Sequence, residues 1–163
     1  MLNPTTLELE GDCDIVIRRR FAAPARIVFD AYSRPDLVMK WWAPKALGVE
    51  MISVEANVKV GGRFRYVIKA PNQNEAVFSG DYTEVEPHTR LSYTQLYEPM
   101  AHVAGPAIVV VNFSETDGHT DVIFRETYPS QFVRDAVIGS GMEAGMRNTF
   151  DLLEELVIEL AKA

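Results

Sequence analysis

The sequence lacks features that mark several classes of protein. It contains a single cysteine, Cys13, so it cannot form an internal disulfide, and nothing indicates an oxidising compartment. No apolar run approaches the roughly 18 residues that a membrane-spanning helix needs. The first residues show no basic start followed by an apolar stretch, so we expect no signal peptide. These absences predict a cytoplasmic protein without a membrane span.

Basic charge is also scarce. Aspartate and glutamate total 23 residues against 16 lysines and arginines, which gives a formal net charge of −7 at pH 7. A protein that binds nucleic acid in general normally presents a basic face. The charge balance therefore argues against nucleic acid as a partner.

Motifs for metal, phosphate and nucleophilic chemistry are missing. His88, His102 and His119 fall in predicted turns or loops and have no ligand spacing to one another, so we predict no metal site and no cofactor. Gly61-Gly62 lacks the Lys-Ser/Thr pair and the following helix of a phosphate-binding loop. A Gly-x-Ser-x-Gly nucleophile elbow does not occur either.

The length and composition fit one domain with a substantial core. The chain has 163 residues, of which 47% are apolar, and no Gly/Pro/Ser-rich linker divides it. We therefore expect a single domain over residues 1–163. Residues 1–12 are expected to be a loose lead-in.

The most regular pattern lies at the C-terminal end. Five apolar residues recur there at gaps of four, three, four and three, which predicts one face of an amphipathic helix: Met146, Phe150, Leu153, Val157 and Leu160. We expect one long helix over residues 131–162, with its charged residues, among them Asp151 and Glu154, mostly on the solvated face. Residues 139–145 are mostly small, so the helix either packs very close to something there or leaves a hollow beneath it.

The remaining chain changes from helical to alternating patterns. A β-branched strand is followed by two short helices that Pro35 separates, and then by six strands in hairpin succession. The predicted strands are 13–21, 49–58, 63–70, 76–87, 90–97, 107–115 and 119–128. This order predicts an α+β fold in which the terminal helix covers one face of a curved, seven-stranded antiparallel sheet.

The expected inner face of that sheet is aromatic but not purely apolar. Its predicted aromatic residues are Phe64, Tyr66, Phe78, Tyr82, Tyr93, Phe113 and Phe124. Gln95 and Glu126 have the same parity as Tyr93 and Phe124 and should also face inwards. Buried phenols, amides and carboxyls need partners, because each unsatisfied group costs about 1–3 kcal/mol. The pattern favours a partly wet cavity between sheet and helix.

Five segments in a fixed order carry a resemblance to a known family. They are IVIRRRFAAPARIVFDAYSRPDLVMKWWAP, VGGRFRY, FSGDYTEVEPHTRLSYT, TDGHT and GMEAGMRNTFDLLEEL. Over residues 13–160 the chain resembles the family of the heat-shock-protein-90 ATPase activator C-terminal domain, within the START-like, helix-grip superfamily. The resemblance implies a long helix gripped by a curved sheet, with a cavity between them. Where the family often has Gly-Trp, this chain has Gly145-Met146. The superfamily includes carriers, cyclases and chaperone activators, so the fold says little about chemistry.

Three hypotheses about function follow. The leading one is non-enzymatic binding of a small hydrophobic or aromatic molecule in the cavity. The residues expected to contact the ligand are Trp41, Trp42, Phe64, Tyr66, Phe78, Tyr82, Tyr93, Gln95, Phe113, Phe124, Glu126, Met142 and Met146. The second is a chaperone-linked interaction domain, with a chaperone or a second copy of the chain as partner. The third is a cyclase- or dehydratase-type enzyme that uses Glu126 as acid or base.

Glu126 also has a purely structural interpretation. A carboxyl beside apolar walls would have a raised pKa and could serve in acid–base catalysis. Alternatively, Glu126 forms an ion pair with Arg19 or another arginine near the sheet rim. Arginines at positions 18–20 place charge on both faces of the first strand, so we expect at least one of them to point inwards and form a salt bridge with the helices.

Overall fold

The computed structural model describes residues 3–163 as an antiparallel sheet with helices on one face. The strands are β1 Thr5–Glu10, β2 Asp14–Phe21, β3 Glu50–Ala56, β4 Arg63–Lys69, β5 Glu75–Glu86, β6 Arg90–Tyr97, β7 Ala107–Thr116 and β8 His119–Thr127. The helices are α1 Ala25–Ser33, α2 Pro35–Val38, α3 Ala101–Ala104, α4 Gln131–Gly139 and α5 Met142–Ala161. Short 3-10 turns lie at Lys45–Leu47 and Glu98–Met100.

The sheet has the order β1-β2-β8-β7-β6-β5-β4-β3, and every neighbouring pair is antiparallel. The strands from β3 to β8 follow one another as hairpins, and β2 then pairs with β8. This pairing brings the first and last parts of the chain together. As a result, α1, α2 and α5 all pack on the same face of the sheet, with α5 as the long cover that the alternating pattern required.

The sheet contains eight strands, so the predicted count of seven is wrong. The additional strand is β1, which lies inside the stretch 1–12 that was expected to be a loose lead-in. Its sequence, TTLELE, alternates with the period of a strand and pairs along the outer edge of β2, where Leu7 lies opposite Ile17. Thr5 is buried and Leu7 packs on the core, so one face of β1 contributes to the interior. The first two residues lie outside the described part of the chain.

The C-terminal segment forms two helices, so the single helix predicted over residues 131–162 is wrong. The break lies at Ser140 and Gly141, and Gly141 adopts a left-handed conformation with φ of 84°. Glycine takes this conformation without steric cost and therefore commonly ends helices. The loop expected at residues 98–106 also differs, because it contains a 3-10 turn and the short helix α3.

The predicted apolar stripe of α5 is confirmed in its C-terminal half, where Phe150, Leu153 and Val157 are buried against the sheet. Glu154 was expected on the solvated face, and this prediction is wrong. Its side chain is completely buried. A buried carboxylate is costly unless charges and hydrogen bonds compensate it.

Arg19 on β2 supplies that compensation. Its Nη2 atom lies 3.2 Å from Oε1 of Glu154, and Nη1 donates to Asp151 at 2.8 Å and to the Thr5 hydroxyl at 2.7 Å. The other oxygen of Glu154 accepts a hydrogen bond from the Ala22 backbone at 2.8 Å. The expectation that an arginine of β2 forms a salt bridge with the helices is therefore confirmed, and the pair joins β1, β2 and α5.

We expect Arg19→Met to lower the free energy of unfolding by about 3–5 kcal/mol, because it leaves the buried Glu154 carboxylate without its cation. Urea denaturation at neutral pH measures this loss. The control is Arg18→Met, since Arg18 is exposed and its partners are the solvent-accessible carboxylates of Glu8 and Glu10 on β1, so a change below about 1 kcal/mol is expected. Equal losses in the two variants would contradict a special role for the buried pair.

Candidate functional site

A cavity of about 280 Å³ lies between the N-terminal half of α5 and the sheet, and it is partly open to solvent. Met142, Gly145, Met146 and Thr149 contribute to it from α5. The small residues in this half of the helix leave a hollow, which resolves the two alternatives raised by the sequence. A close approach is not the reason for glycine there, because a Cβ at Gly145 would make an ordinary van der Waals contact with Pro44 at 3.5 Å.

Nine of the predicted contact residues line this cavity: Trp41, Trp42, Phe78, Tyr93, Gln95, Phe124, Glu126, Met142 and Met146. Phe64, Tyr66 and Tyr82 instead border an adjoining void of about 10 Å³, close to the smallest space that holds one water molecule. Phe113 lines neither space, because its ring packs edge-on against Phe29 and Tyr32. That any of these residues contacts a ligand stays a prediction.

The strand register explains why the lining residues converge. Tyr93 on β6 lies opposite Val109 on β7, which lies opposite Glu126 on β8. All three belong to one cross-strand row, and side chains of such a row project to the same face. Phe124, two residues before Glu126, projects to that face as well. The parity argument that turned Glu126 inwards is thus confirmed.

The two adjacent tryptophans occupy different environments. Trp41 is buried, and its indole N–H donates to the Ala31 carbonyl at 2.8 Å. Trp42 is half-buried and packs edge-on against Tyr66 and Phe78, with ring centroids 5.0 and 4.9 Å away. Both rings line the cavity, Trp41 as a core residue and Trp42 with the larger exposed fraction.

Tyr32 was missed by the sequence reasoning, although it lines both the cavity and the small void. It is 7% exposed, and its hydroxyl has no hydrogen-bond partner within residues 3–163. Burial raises the pKa of the Tyr32 phenol well above its ordinary value, so the hydroxyl keeps its proton. Its position on the buried face of α1, four residues after Val28, was the available signal.

Other lining residues were also missed. They are Ile17, Pro44, Val49, Ile68, Val109, Gly145, Thr149 and Phe150. Most are apolar and lie on elements whose inward faces were predicted only in part. They provide the nonpolar wall on which hydrophobic affinity depends.

Glu126 is held by a neighbour on its own strand. The Tyr128 hydroxyl donates to Oε2 of Glu126 at 2.5 Å, whereas Arg19 contacts Glu154 and Asp151. No arginine within residues 3–163 pairs with Glu126, so the alternative of an ion pair with Arg19 or another arginine near the sheet rim is wrong. Burial raises the pKa of the Glu126 carboxyl above its ordinary value, and the hydrogen bond from Tyr128 opposes part of this rise.

The other carboxylate oxygen of Glu126 and the phenol of Tyr93 are further polar groups at the same place. Within the described chain, no hydrogen bond reaches Oε1 of Glu126. Burial raises the pKa of Tyr93, and the nearby charge of Glu126 raises it further, so this phenol also keeps its proton. Tyr32, Tyr93 and Glu126 are close enough for the carboxylate to influence both phenols. The cavity therefore combines apolar walls with a small set of uncommitted polar groups.

Two further types of site are absent from residues 3–163. No group of three or more His, Cys, Asp or Glu side chains is arranged there to hold a metal ion. No helix in the same range is both long and apolar enough to cross a bilayer.

Solved structures with this fold are numerous, and three illustrate the similarity. A protein from Rhodobacter sphaeroides is 23% identical, with a TM-score of 0.87 over 96% of this chain and 99% of its own. A protein from Staphylococcus epidermidis is 28% identical, with a TM-score of 0.77 over 94% of each chain. An AHSA1-like protein from Aeromonas hydrophila is 23% identical, with a TM-score of 0.71 over 88% of this chain and 93% of its own.

The sequence comparison is consistent with these folds. No curated protein matches the chain. Residues 22–157 match the family described as activator of Hsp90 ATPase homolog 1-like protein, and this range includes α1, α2, strands β3 to β8 and most of α5. The resemblance stated from the sequence is confirmed: the chain belongs to the activator of Hsp90 ATPase homolog 1-like family and has its START-type, helix-grip fold.

Proposed function

We propose that the protein binds a small hydrophobic or aromatic molecule in the cavity beneath the N-terminal half of α5. The observation that carries the proposal is the combination of a preformed hollow with uncommitted polar groups inside it. Small-molecule sites typically have apolar walls and a few polar groups that fix the orientation of the ligand. The Tyr32 hydroxyl has no hydrogen-bond partner within residues 3–163 and is a group that a ligand would satisfy.

The volume of the cavity indicates the size of the ligand. A cavity of about 150 Å³ holds benzene, so about 280 Å³ suits a bicyclic aromatic molecule. A sterol or a long fatty acid would have to extend through the open side. Bicyclic aromatics are therefore the first molecules to test.

A catalytic role is the second candidate, and Glu126 is the observation that favours it. A half-buried carboxyl with a raised pKa, hydrogen-bonded to Tyr128 and lining a cavity, is suited to donate or accept a proton. An enzyme of the cyclase or dehydratase type would use it in this way. Under this hypothesis the Glu126→Gln variant still binds a neutral ligand but no longer catalyses the reaction.

The family name suggests a third role, in which the domain contacts a chaperone. A domain that acts only through its surface has no need for a cavity, and a filled core would be expected. The hollow beneath α5 therefore favours ligand binding as the primary role.

A thermal-shift screen with bicyclic aromatics tests the binding proposal. A ligand present at about 100 times its dissociation constant adds about 2.7 kcal/mol to the stability of the folded protein, which gives a measurable increase in Tm. Met142→Trp should abolish the shift, because the larger side chain fills the cavity.

The matched control is Ala144→Trp, which adds the same side chain at an exposed position of the same helix. It should respond to ligand like the unmodified protein. A ligand shift that survives in Met142→Trp, or the absence of any shift across the library, would contradict the proposal.

The half-buried, desolvated carboxyl of Glu126 predicts a pH-dependent stability difference. Because its folded pKa lies above the ordinary value of 4.5, its stabilising contribution is complete below that value and is lost as the pH rises through the folded pKa. Glutamine cannot ionise, so Glu126→Gln should gain stability relative to the unmodified protein as the pH increases. Urea unfolding at about pH 4.5 and about pH 8 measures this gap.

Glu155→Gln is the control, because it removes an exposed carboxylate from α5 and leaves the cavity unchanged. Its effect should stay within about 0.5 kcal/mol at both pH values. If Glu126→Gln and the unmodified protein show parallel pH dependence, the carboxyl is not buried as described.

A further inference from the structure

We propose that the cavity selects a protonated aromatic amine, with Glu126 as the counterion of the ammonium group. This inference rests on the proposed binding function and adds the charge of the ligand to it. Three properties of the site support it: the charges of the lining, the distribution of its aromatic rings and the partners of Glu126.

The charge among the residues that line the cavity is of one sign. None of the residues that line the cavity in the described chain is lysine, arginine or histidine, and Glu126 is the acidic residue among them. Arg19 is the buried arginine nearest in sequence to the lining residue Ile17. Its guanidinium group forms salt bridges with Glu154 and Asp151. A ligand carboxylate would therefore meet a carboxylate and no cation, which disfavours anionic molecules.

Aromatic rings surround much of the same space. Trp42 and Phe78 contact each other edge-on, and Tyr93, Trp41 and Phe124 line further parts of the wall. The faces of such rings attract a cation by about 0.5–2 kcal/mol, and tryptophan is the most effective of them. The rings also provide the apolar surface for the bicyclic body of the ligand.

Glu126 lacks a cationic partner within the described chain. Tyr128 donates to Oε2, and no protein group donates to Oε1. The titratable groups on neighbouring elements whose pKa values Glu126 raises are Tyr93 on β6 and Tyr32 on α1, and neither carries positive charge. Glu126 is half-buried, and a desolvated carboxylate without a cation is unfavourable, so an ammonium group at Oε1 would provide the missing charge.

Three naphthalene derivatives of nearly equal size separate charge from shape. They are 2-naphthylmethylamine, 2-naphthalenemethanol and 2-naphthoic acid, which are cationic, neutral and anionic at about pH 7. Isothermal titration calorimetry gives each dissociation constant. We expect the amine to bind about 10-fold or more tightly than the alcohol, because a hydrogen bond to a charged group contributes more than one between neutral groups. The acid should bind most weakly.

Two variants assign this preference to one carboxylate. Glu126→Gln should weaken binding of the amine by about 10-fold or more, while the affinity for the alcohol changes by less than about 3-fold. The control is Glu143→Gln, which removes an exposed negative charge next to Met142 but outside the cavity lining. It should alter the affinity for the amine by less than about 2-fold, because exposed charges are screened.

The outcomes distinguish this inference from the binding proposal. If the alcohol or the acid binds as tightly as the amine, the charge preference is wrong and the binding function stands. An amine preference that persists in Glu126→Gln would also overturn the role of Glu126. If none of the three probes binds, or if Met142→Trp binds them equally well, the cavity function itself fails.

Discussion

The buried ion pair between Arg19 and Glu154 is the interaction on which the arrangement of this fold depends. It lies between β2 and the C-terminal half of α5. Thr5 of β1, Asp151 and the Ala22 backbone contribute further hydrogen bonds, and Nε of Arg19 has no partner within residues 3–163. A buried pair is not necessarily stabilising compared with apolar residues, but it strongly disfavours any position of the helix that separates its members. Together with the stripe formed by Phe150, Leu153 and Val157, it fixes one end of α5 on the sheet. The helix is rigid, so its glycine-containing N-terminal half spans a hollow that it does not fill.

The carboxylates of Glu154 and Glu126 differ in the partners that offset the cost of removing them from water. Glu154 has a guanidinium partner and a backbone N–H, whereas Glu126 has a single tyrosine hydroxyl. Structural carboxylates in protein interiors are normally paired as Glu154 is. The incomplete set of partners around Glu126, together with the unpartnered hydroxyl of Tyr32, is typical of a site that a ligand completes. Function is therefore expected at the unfilled end of α5.

Much of the fold could be predicted because its patterns are local. Strand alternation gave seven of the eight strands and turned Glu126 inwards, and the helical period gave the buried stripe of α5. The failures have physical causes. Strand β1 was missed because its alternation covers only six residues, and so short a segment is held as a strand by its pairing with β2. Glu154 was assigned to the solvated face because the spacing of apolar residues along a helix gives no information about a buried arginine on a distant strand. The small residues at 139–145 predicted either a hollow or a close contact. The position of α5 over the sheet was needed to decide between these two alternatives.

The most direct test of the account is an NMR titration of the protein with isotope-labelled methionine methyl groups, using a bicyclic aromatic ligand. Met142 and Met146 line the cavity, whereas Met39 and Met100 are exposed at other sites and serve as internal references. The account predicts that ring-current shifts appear on Met142 and Met146 and leave Met39 and Met100 unchanged. Shifts confined to the exposed methionines, or none on the two cavity methionines at saturating ligand, would contradict it.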